Sequence, residues 1–300
     1  MSISRNRLAI VLVILISMVG VFSFKKTIQV APVQVNKLKV TTSFYPLAFL
    51  TERIGGQYVT VTNLTPAGAE PHDFEPSTRD ITELENQDII FLNGGGVEGY
   101  TDNLRKNVNP KKTLLIIVGK SLMSDPKDPH IWLDPILYMK EAEVVAKALI
   151  QKDQLHTKKY TENLHMLINE LSQLDSDFQK GLNNCSQKNI ITSHKAFSYL
   201  AHRYNLREVA LAGLSPEEEP SSKTLSDITT FAKNNNIRYI FFEELVSPVI
   251  AETIAREIGA KTLVFNPLEG LTKNDEITKK TYVTIQKENL ANLQIALNCK

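Results

Sequence analysis

The sequence predicts an α/β fold in two lobes, each a parallel sheet flanked by helices, joined by one long rigid helix with a metal site in the cleft between them. Three observations carry that expectation: strand-like and helix-like segments alternate twice, a 26-residue amphipathic run separates the two sets, and three histidines sit in loops at or just beyond strand ends. Alternation of this kind implies parallel sheets covered on both faces. In such sheets ligands bind beyond the carboxyl ends of the strands.

The separating run is Thr157 to Leu182. It contains no proline, and its first glycine is Gly181. Tyr160, Leu164, Leu167, Ile168, Leu171, Leu174, Phe178 and Leu182 recur at the three- and four-residue spacing of a one-faced helix, with charged residues between them. At ~1.5 Å per residue it spans roughly 39 Å, enough to join two lobes as a strut. The alternative is a buried helix of one larger domain.

In the first lobe, Leu38–Thr42 and Tyr58–Asn63 read as strands around a helix that stops at Gly55-Gly56. A Pro- and Gly-rich loop, 65–76, leads to Ser77, a helix N-cap with Asp80 in capping-box position. That helix ends near Asn86. Asp88–Leu92 is β-rich and breaks at Gly94-Gly95-Gly96; a polar helix, the β-rich Thr113–Val118 and a helix over Ile136–Gln151 follow. In the second lobe, strands are expected at Asn189–Thr192, Glu208–Leu211, Arg238–Phe242 and Thr262–Phe265. Helices are expected at Ala196–Tyr204, Ser222–Asn234, Pro248–Ile258 and Glu276–Leu297. The expected divisions are 1–36 (signal or anchor and tether), 37–155, 156–183 and 184–300.

The start of the chain reads as an export element. Arg5 and Arg7 precede an apolar run, Leu8 to Phe24, closed by Lys25 and Lys26, the pattern of a signal peptide or a membrane anchor. The body is therefore expected outside the cytoplasm. With 34 Lys+Arg against 33 Asp+Glu, there is no charge bias toward nucleic acid, and the chain is expected to be a monomer. The two cysteines, Cys185 and Cys299, either pair in an oxidising compartment or remain two thiols; both readings stand open here.

The chemistry is expected at three of the six histidines. His72 lies in Glu70-Pro71-His72-Asp73, His130 in Asp128-Pro129-His130-Ile131 and His194 in Thr192-Ser193-His194-Lys195. Each is flanked by carboxylates or by a strand end, and prolines stiffen the first two loops. Two belong to the first lobe and one to the second, so a metal gripped by all three lies between lobes. Glu269, in the loop after the last strand, is the fourth donor, and Asp275 is taken as the cap of the helix that follows. Three neutral imidazoles and one carboxylate suit Zn²⁺. His156, His165 and His202 are helical and without convergent partners, hence surface or packing residues. The cleft is expected to be open to solvent at Glu269, so that a water could replace its oxygen.

These motifs, together with Ile131-Trp132-Leu133-Asp134-Pro135, Ser215-Pro216-Glu217-Glu218-Glu219-Pro220-Ser221 and Asn266-Pro267-Leu268-Glu269-Gly270-Leu271, resemble those of the substrate-binding proteins of bacterial metal ABC importers, the zinc-uptake or lipoprotein-adhesin family. The resemblance runs from about Lys39 to the C-terminus. It implies two α/β lobes joined by a rigid helix, a metal held at His72, His130, His194 and Glu269, and delivery of the ion to a membrane permease driven by a cytoplasmic ATPase. Zinc members often carry a histidine-rich loop before the second ligand, yet 97–128 holds no histidine, and no lipid-bearing cysteine follows the N-terminal run. Zn²⁺ is thus expected as transported ligand, with Mn²⁺ or Fe²⁺ uptake as the alternative. A membrane-tethered metallohydrolase and a surface adhesin are readings of other classes. No Gly-x-Ser-x-Gly, Walker loop or His-Glu-x-x-His is present.

Overall fold

A computed structural model describes residues 37–300; residues 1–36, expected from the sequence to be an export element and tether, lie outside the described residues. The first lobe is a four-stranded, all-parallel sheet of β1 (Leu38–Thr42), β2 (Val59–Asn63), β3 (Ile89–Leu92) and β4 (Leu114–Ile117), in the order β2-β1-β3-β4. The second lobe contains two parallel pairs, β5 (Asn189–Thr192) with β6 (Arg207–Ala210) and β7 (Tyr239–Phe242) with β8 (Lys261–Val264). β5 lies against β7 without a ladder between them. In each lobe the chain order reverses between two central strands, β1 and β3 or β5 and β7, and such switch points open a crevice at the carboxyl ends.

Between them runs α5 (Thr157–Leu182), the helix expected from the apolar spacing. Tyr160, Leu167, Leu171, Leu174, Phe178 and Leu182 are buried along one face, while Leu164 and Ile168 lie at its edges. Its neighbours are α1 (Tyr45–Gly55) and α4 (Pro135–Lys152) from the first lobe and α10 (Tyr282–Leu297) from the second. One continuous apolar core follows this helix through both lobes, from Val40 and Phe44 to Leu293 and Leu297. Both expectations for the helix therefore hold in part: it bridges the lobes, and it is buried along one face in a core they share.

Strand alternation divides the rest of the apolar surface. Ile89 and Phe91 of β3 face that spine, whereas Ile90 and Leu92 face a second cluster with Leu84 and Leu104, on the side of α2 (Thr78–Leu84) and α3 (Thr101–Asn107). Phe241 of β7 faces the spine, and Ile240 faces α7 (Ser222–Asn234) and α8 (Val249–Ile258). This is the period-2 burial of a sheet covered on both faces.

Local chemistry fixes most boundaries. Ser77 and Asp80 form the expected capping box. Asp134 caps α4 by accepting from Ile136 and Leu137, with Pro135 in the first turn, where its missing N–H costs nothing. Three expectations need correction. The single helix over Glu276–Leu297 is α9 (Lys273–Ile277) followed by α10, because Lys279 turns left-handed (φ 56°) and Thr281 starts a new capping box. Asp275 is not the cap residue: Thr272 is, and Asp275 occupies the N3 position of its box. The segment at Ala196–Tyr204 also shortens to α6 (Ser198–Arg203). Cys185 and Cys299 are joined in a disulfide that ties the end of α5 to the C-terminus.

The lobes are stitched together beside the cleft. Trp132 Nε1 donates to Pro267 O (2.7 Å), Tyr282 Oη to Trp132 O (2.6 Å) and Gly68 N to Leu271 O (2.8 Å). Arg203 pairs with Asp134, so the cap of α4 also anchors the second lobe.

Candidate metal centre

All four expected residues meet in this cleft. His72 comes from the β2–α2 loop, His130 from the loop after β4, His194 from two residues beyond β5, and Glu269 from the loop after β8. One donor atom from each lies within 4.8 Å of the others. Glu269 Oε1 is 3.3 Å from His72 Nε2, 3.2 Å from His130 Nε2 and 3.2 Å from His194 Nε2, and the last two nitrogens are 3.3 Å apart. His156 instead stacks on Tyr58 (4.0 Å between centroids) and pairs with Asp153; His165 and His202 are exposed.

Backbone pins hold the second-lobe carboxylate. Asn289 Nδ2 donates to Asn266 O (2.8 Å) and its Oδ1 accepts from Asn266 N (2.9 Å), while Asn266 Oδ1 accepts from Leu268 N (2.7 Å). Leu268 is left-handed (φ 59°), which turns the chain into the cleft at Glu269. Glu269 is 1 % exposed, so the expectation of a solvent-open position there is overturned. The loop Gly68–Glu70 is laid over Gly270–Leu271.

Two imidazoles are oriented from behind. His130 Nδ1 lies 2.8 Å from Asp128 Oδ1, and His194 Nδ1 lies 2.7 Å from Glu243 Oε1. Such carboxylate partners fix the tautomer, leaving Nε2 for a metal, and raise the basicity of the ligand. Sequence reasoning gave Glu243 no role. It stands at the carboxyl end of β7, directly after Phe242, where the strand-end rule directs attention.

The electrostatics couple the imidazoles to the carboxylates around them. Burial works against the charged form of His194, but Glu243 and Glu269 outweigh it and hold this imidazole well above its ordinary range. His130 is raised in the same way: burial opposes it, and Asp128 and Glu269 prevail. Burial would raise Glu269, yet the imidazoles of His194, His130 and His72 hold its carboxyl well below the usual range. Burial and the nearby Glu269 push Glu70 up to about 9. Despite these contacts, both oxygens of Glu269 and Nε2 of His72 are buried without a hydrogen bond of acceptable geometry. A tetrahedron with ~2.0–2.1 Å zinc–ligand bonds has donor–donor edges of ~3.3–3.4 Å, and the four separations above match that edge within about 0.2 Å.

Comparison with known proteins identifies the family. A family profile described as zinc-uptake complex component A, periplasmic, matches residues 40–296. The chain belongs to this family. It is 34% identical over 284 residues to the high-affinity zinc uptake system protein ZnuA of Bacillus subtilis (strain 168), covering 88% of this chain and 89% of that protein. It is 33% identical over 278 residues to the zinc-binding lipoprotein AdcA of Streptococcus pneumoniae (strain ATCC BAA-255 / R6), where it covers 86% of this chain but spans 56% of the longer relative. The crystal structure of the Zn(II)-bound ZnuA-like domain of that species' AdcA superposes with a TM-score of 0.78 at 34% identity, over 87% of this chain and 99% of that one. The laminin-binding protein Lmb of Streptococcus agalactiae, described as bifunctional with adhesin and metal transporting activity, gives 0.79 at 33% identity, over 87% of this chain and 99% of that one. Like these members of the zinc-uptake family, the chain is two α/β lobes about one long helix.

Proposed function

We propose that this chain is an extracytoplasmic receptor that captures Zn²⁺ on His72, His130, His194 and Glu269 and hands it to an ABC-type importer, a membrane permease driven by a cytoplasmic ATPase. The observation that carries the reading is the convergence of four donors in which four separations of 3.2–3.3 Å fit zinc's tetrahedral edge, with His72 Nε2 and both Glu269 oxygens buried and without a hydrogen bond. Membership of the zinc-uptake family supports the same assignment. In this reading residues 37–155 and 184–300 are the two lobes and 156–183 the connector. The export element of residues 1–24 keeps the receptor outside the membrane's inner face.

The donor set favours zinc as the ion and argues against bond-making chemistry. Three imidazoles favour zinc over the harder Mn²⁺, which prefers oxygen donors. Hydrolytic zinc needs an open position for water and a base poised beside it. Here four protein donors would fill a tetrahedron, leaving no ligand position for water, and Glu269 is buried. The ion is cargo, gripped on all sides and released when the lobes or the covering loop give way. Competitive titration of purified protein with Zn²⁺ and Mn²⁺ against a chelator tests the reading: one zinc per chain and a clear preference for zinc are expected, and equal or stronger manganese binding would overturn it.

A further inference from the structure

Each of the three imidazoles comes with a carboxylate that accepts its own backbone N–H, but only two of these pairings are complete. Asp128 Oδ1 accepts from His130 N (3.2 Å) and also meets Nδ1 (2.8 Å). Glu243 Oε1 accepts from His194 N (3.3 Å) and also meets Nδ1 (2.7 Å). Glu70 Oε1 accepts from His72 N (3.1 Å) in the same manner, yet among the described residues no hydrogen bond reaches His72 Nδ1. The other oxygen of Glu70, Oε2, is buried and has no partner.

The chain writes the first-lobe arrangement twice, as Glu70-Pro71-His72 and Asp128-Pro129-His130. In both, proline fixes the backbone between acid and imidazole, so the acid two residues back folds onto the histidine's N–H. Glutamate is one methylene longer than aspartate, and its head must swing to reach the ring. The loop that carries it is already held over Gly270–Leu271 by Gly68 N, with Glu70 half-buried and near enough to Glu269 to feel its charge. His72 is also the least enclosed ligand, its side chain 9% exposed where those of His130 and His194 are fully buried.

We propose that Glu70 is the positioning carboxylate of His72: when the ion binds, Oε2 swings to accept the Nδ1 hydrogen, completing a third carboxylate–imidazole–metal relay. His72 is then the adjustable ligand, set by a loop contact, while His130 and His194 are preset. This inference rests on the zinc-receptor reading. Loss of such an outer partner weakens metal binding about 10–100-fold.

The test is a double-mutant cycle of Glu70→Ala with His72→Ala in the full chain, read by competitive zinc titration, with Glu70→Gln as the conservative variant. Glu70→Ala is expected to weaken zinc at least about tenfold with faster release. In the His72→Ala background it should add nothing further, and Glu70→Gln, whose amide oxygen still accepts, should recover most of the loss. In zinc-loaded protein, nitrogen-15 ring spectra should show a hydrogen-bonded Nδ1–H of His72 that Glu70→Ala removes and Glu70→Gln keeps. Zinc binding unchanged in Glu70→Ala, or an undiminished loss in the His72→Ala background, would overturn the assignment. A wild-type chain that failed to bind zinc would overturn the receptor reading instead. Melting of the metal-free variants guards against a general folding defect, and a Glu70→Ala loss explained by unfolding would count against the positioning role.

Discussion

Glu269 is the ligand position where replacement has the largest expected consequence, because this residue is the one anionic donor in the ring, and glutamine is the mildest replacement. Its Oε1 sits 3.2–3.3 Å from three imidazole nitrogens, and the residue is 1 % exposed. The amide keeps the volume and one oxygen donor but removes the only ligand charge offsetting the dication. Truncating one member of a buried, hydrogen-bonded charge pair costs ~2–5 kcal/mol, so zinc should bind at least ~30-fold more weakly. Alanine removes the donor as well, and burial denies water the easy replacement an open cleft would allow; a loss of ~100-fold or more, ~2.7 kcal/mol, is expected. The assay is chelator competition at fixed pH and ionic strength, with metal content measured on the same samples. Stoichiometric zinc bound within about threefold of wild type, a difference of ~0.7 kcal/mol, by Glu269→Gln would refute the reasoning, since the ion would then lie outside this ring.

His194→Ala should lose a direct bond and weaken zinc at least tenfold, or ~1.4 kcal/mol, and His194→Glu should narrow the preference over manganese; His165→Ala, on the exposed side of α5, should leave zinc titrations unchanged. Zinc affinity should rise with pH above ~6.5, the unperturbed imidazole value, because zinc must displace protons that Glu243, Glu269 and Asp128 hold on His194 and His130 against burial. The sign for the metal-free protein is opposite: raised imidazoles contribute stability that is fully present below ~6.5 and lost as pH rises through their folded values, so its melting temperature should fall where affinity climbs, and an affinity flat between about pH 6.5 and 8 would contradict both. Trp132, whose ring centroid is 5.2 Å from that of His130, should report zinc through its emission, and an unresponsive signal during confirmed binding would show that the metal does not disturb this loop. Cys185→Ser opens a link between residues 114 apart in sequence, and closure of a ~100-residue loop is worth up to ~4.7 kcal/mol in the chain-entropy account; melting should fall sharply with zinc stoichiometry unchanged.

How far the sequence could be read depended on whether the deciding contact was local. The long helix was legible because its apolar spacing is a one-dimensional signal, and Thr157–Leu182 emerges at the expected ends. The capping box at Ser77 and Asp80 is likewise a three-residue event. The four clustered donors were legible because stiff loops after strands must converge at the carboxyl edge. Glu243 was not, since its link to His194 Nδ1 spans 49 residues and the pairing of β5 beside β7 has no local signature. The break between α9 and α10 was also hidden: the apolar pattern continues through Ile277 and Tyr282, and only the left-handed Lys279 reveals the turn. Burial of Glu269 depends on Gly68–Glu70 crossing from the other lobe, which no window around Glu269 can contain. The disulfide, left open by a count of two cysteines, was decided by the docking of the C-terminus against the end of α5.

X-ray absorption at the zinc edge, on protein loaded with one equivalent, reads directly whether one zinc ion is held by three imidazoles and a single carboxylate at the meeting of the lobes. Four nitrogen or oxygen neighbours at ~2.0–2.1 Å are expected, with the outer-shell scattering of three imidazoles, reduced to two in His194→Ala. A sulfur shell, a shell of six oxygens, or three imidazoles persisting in His194→Ala would contradict this coordination.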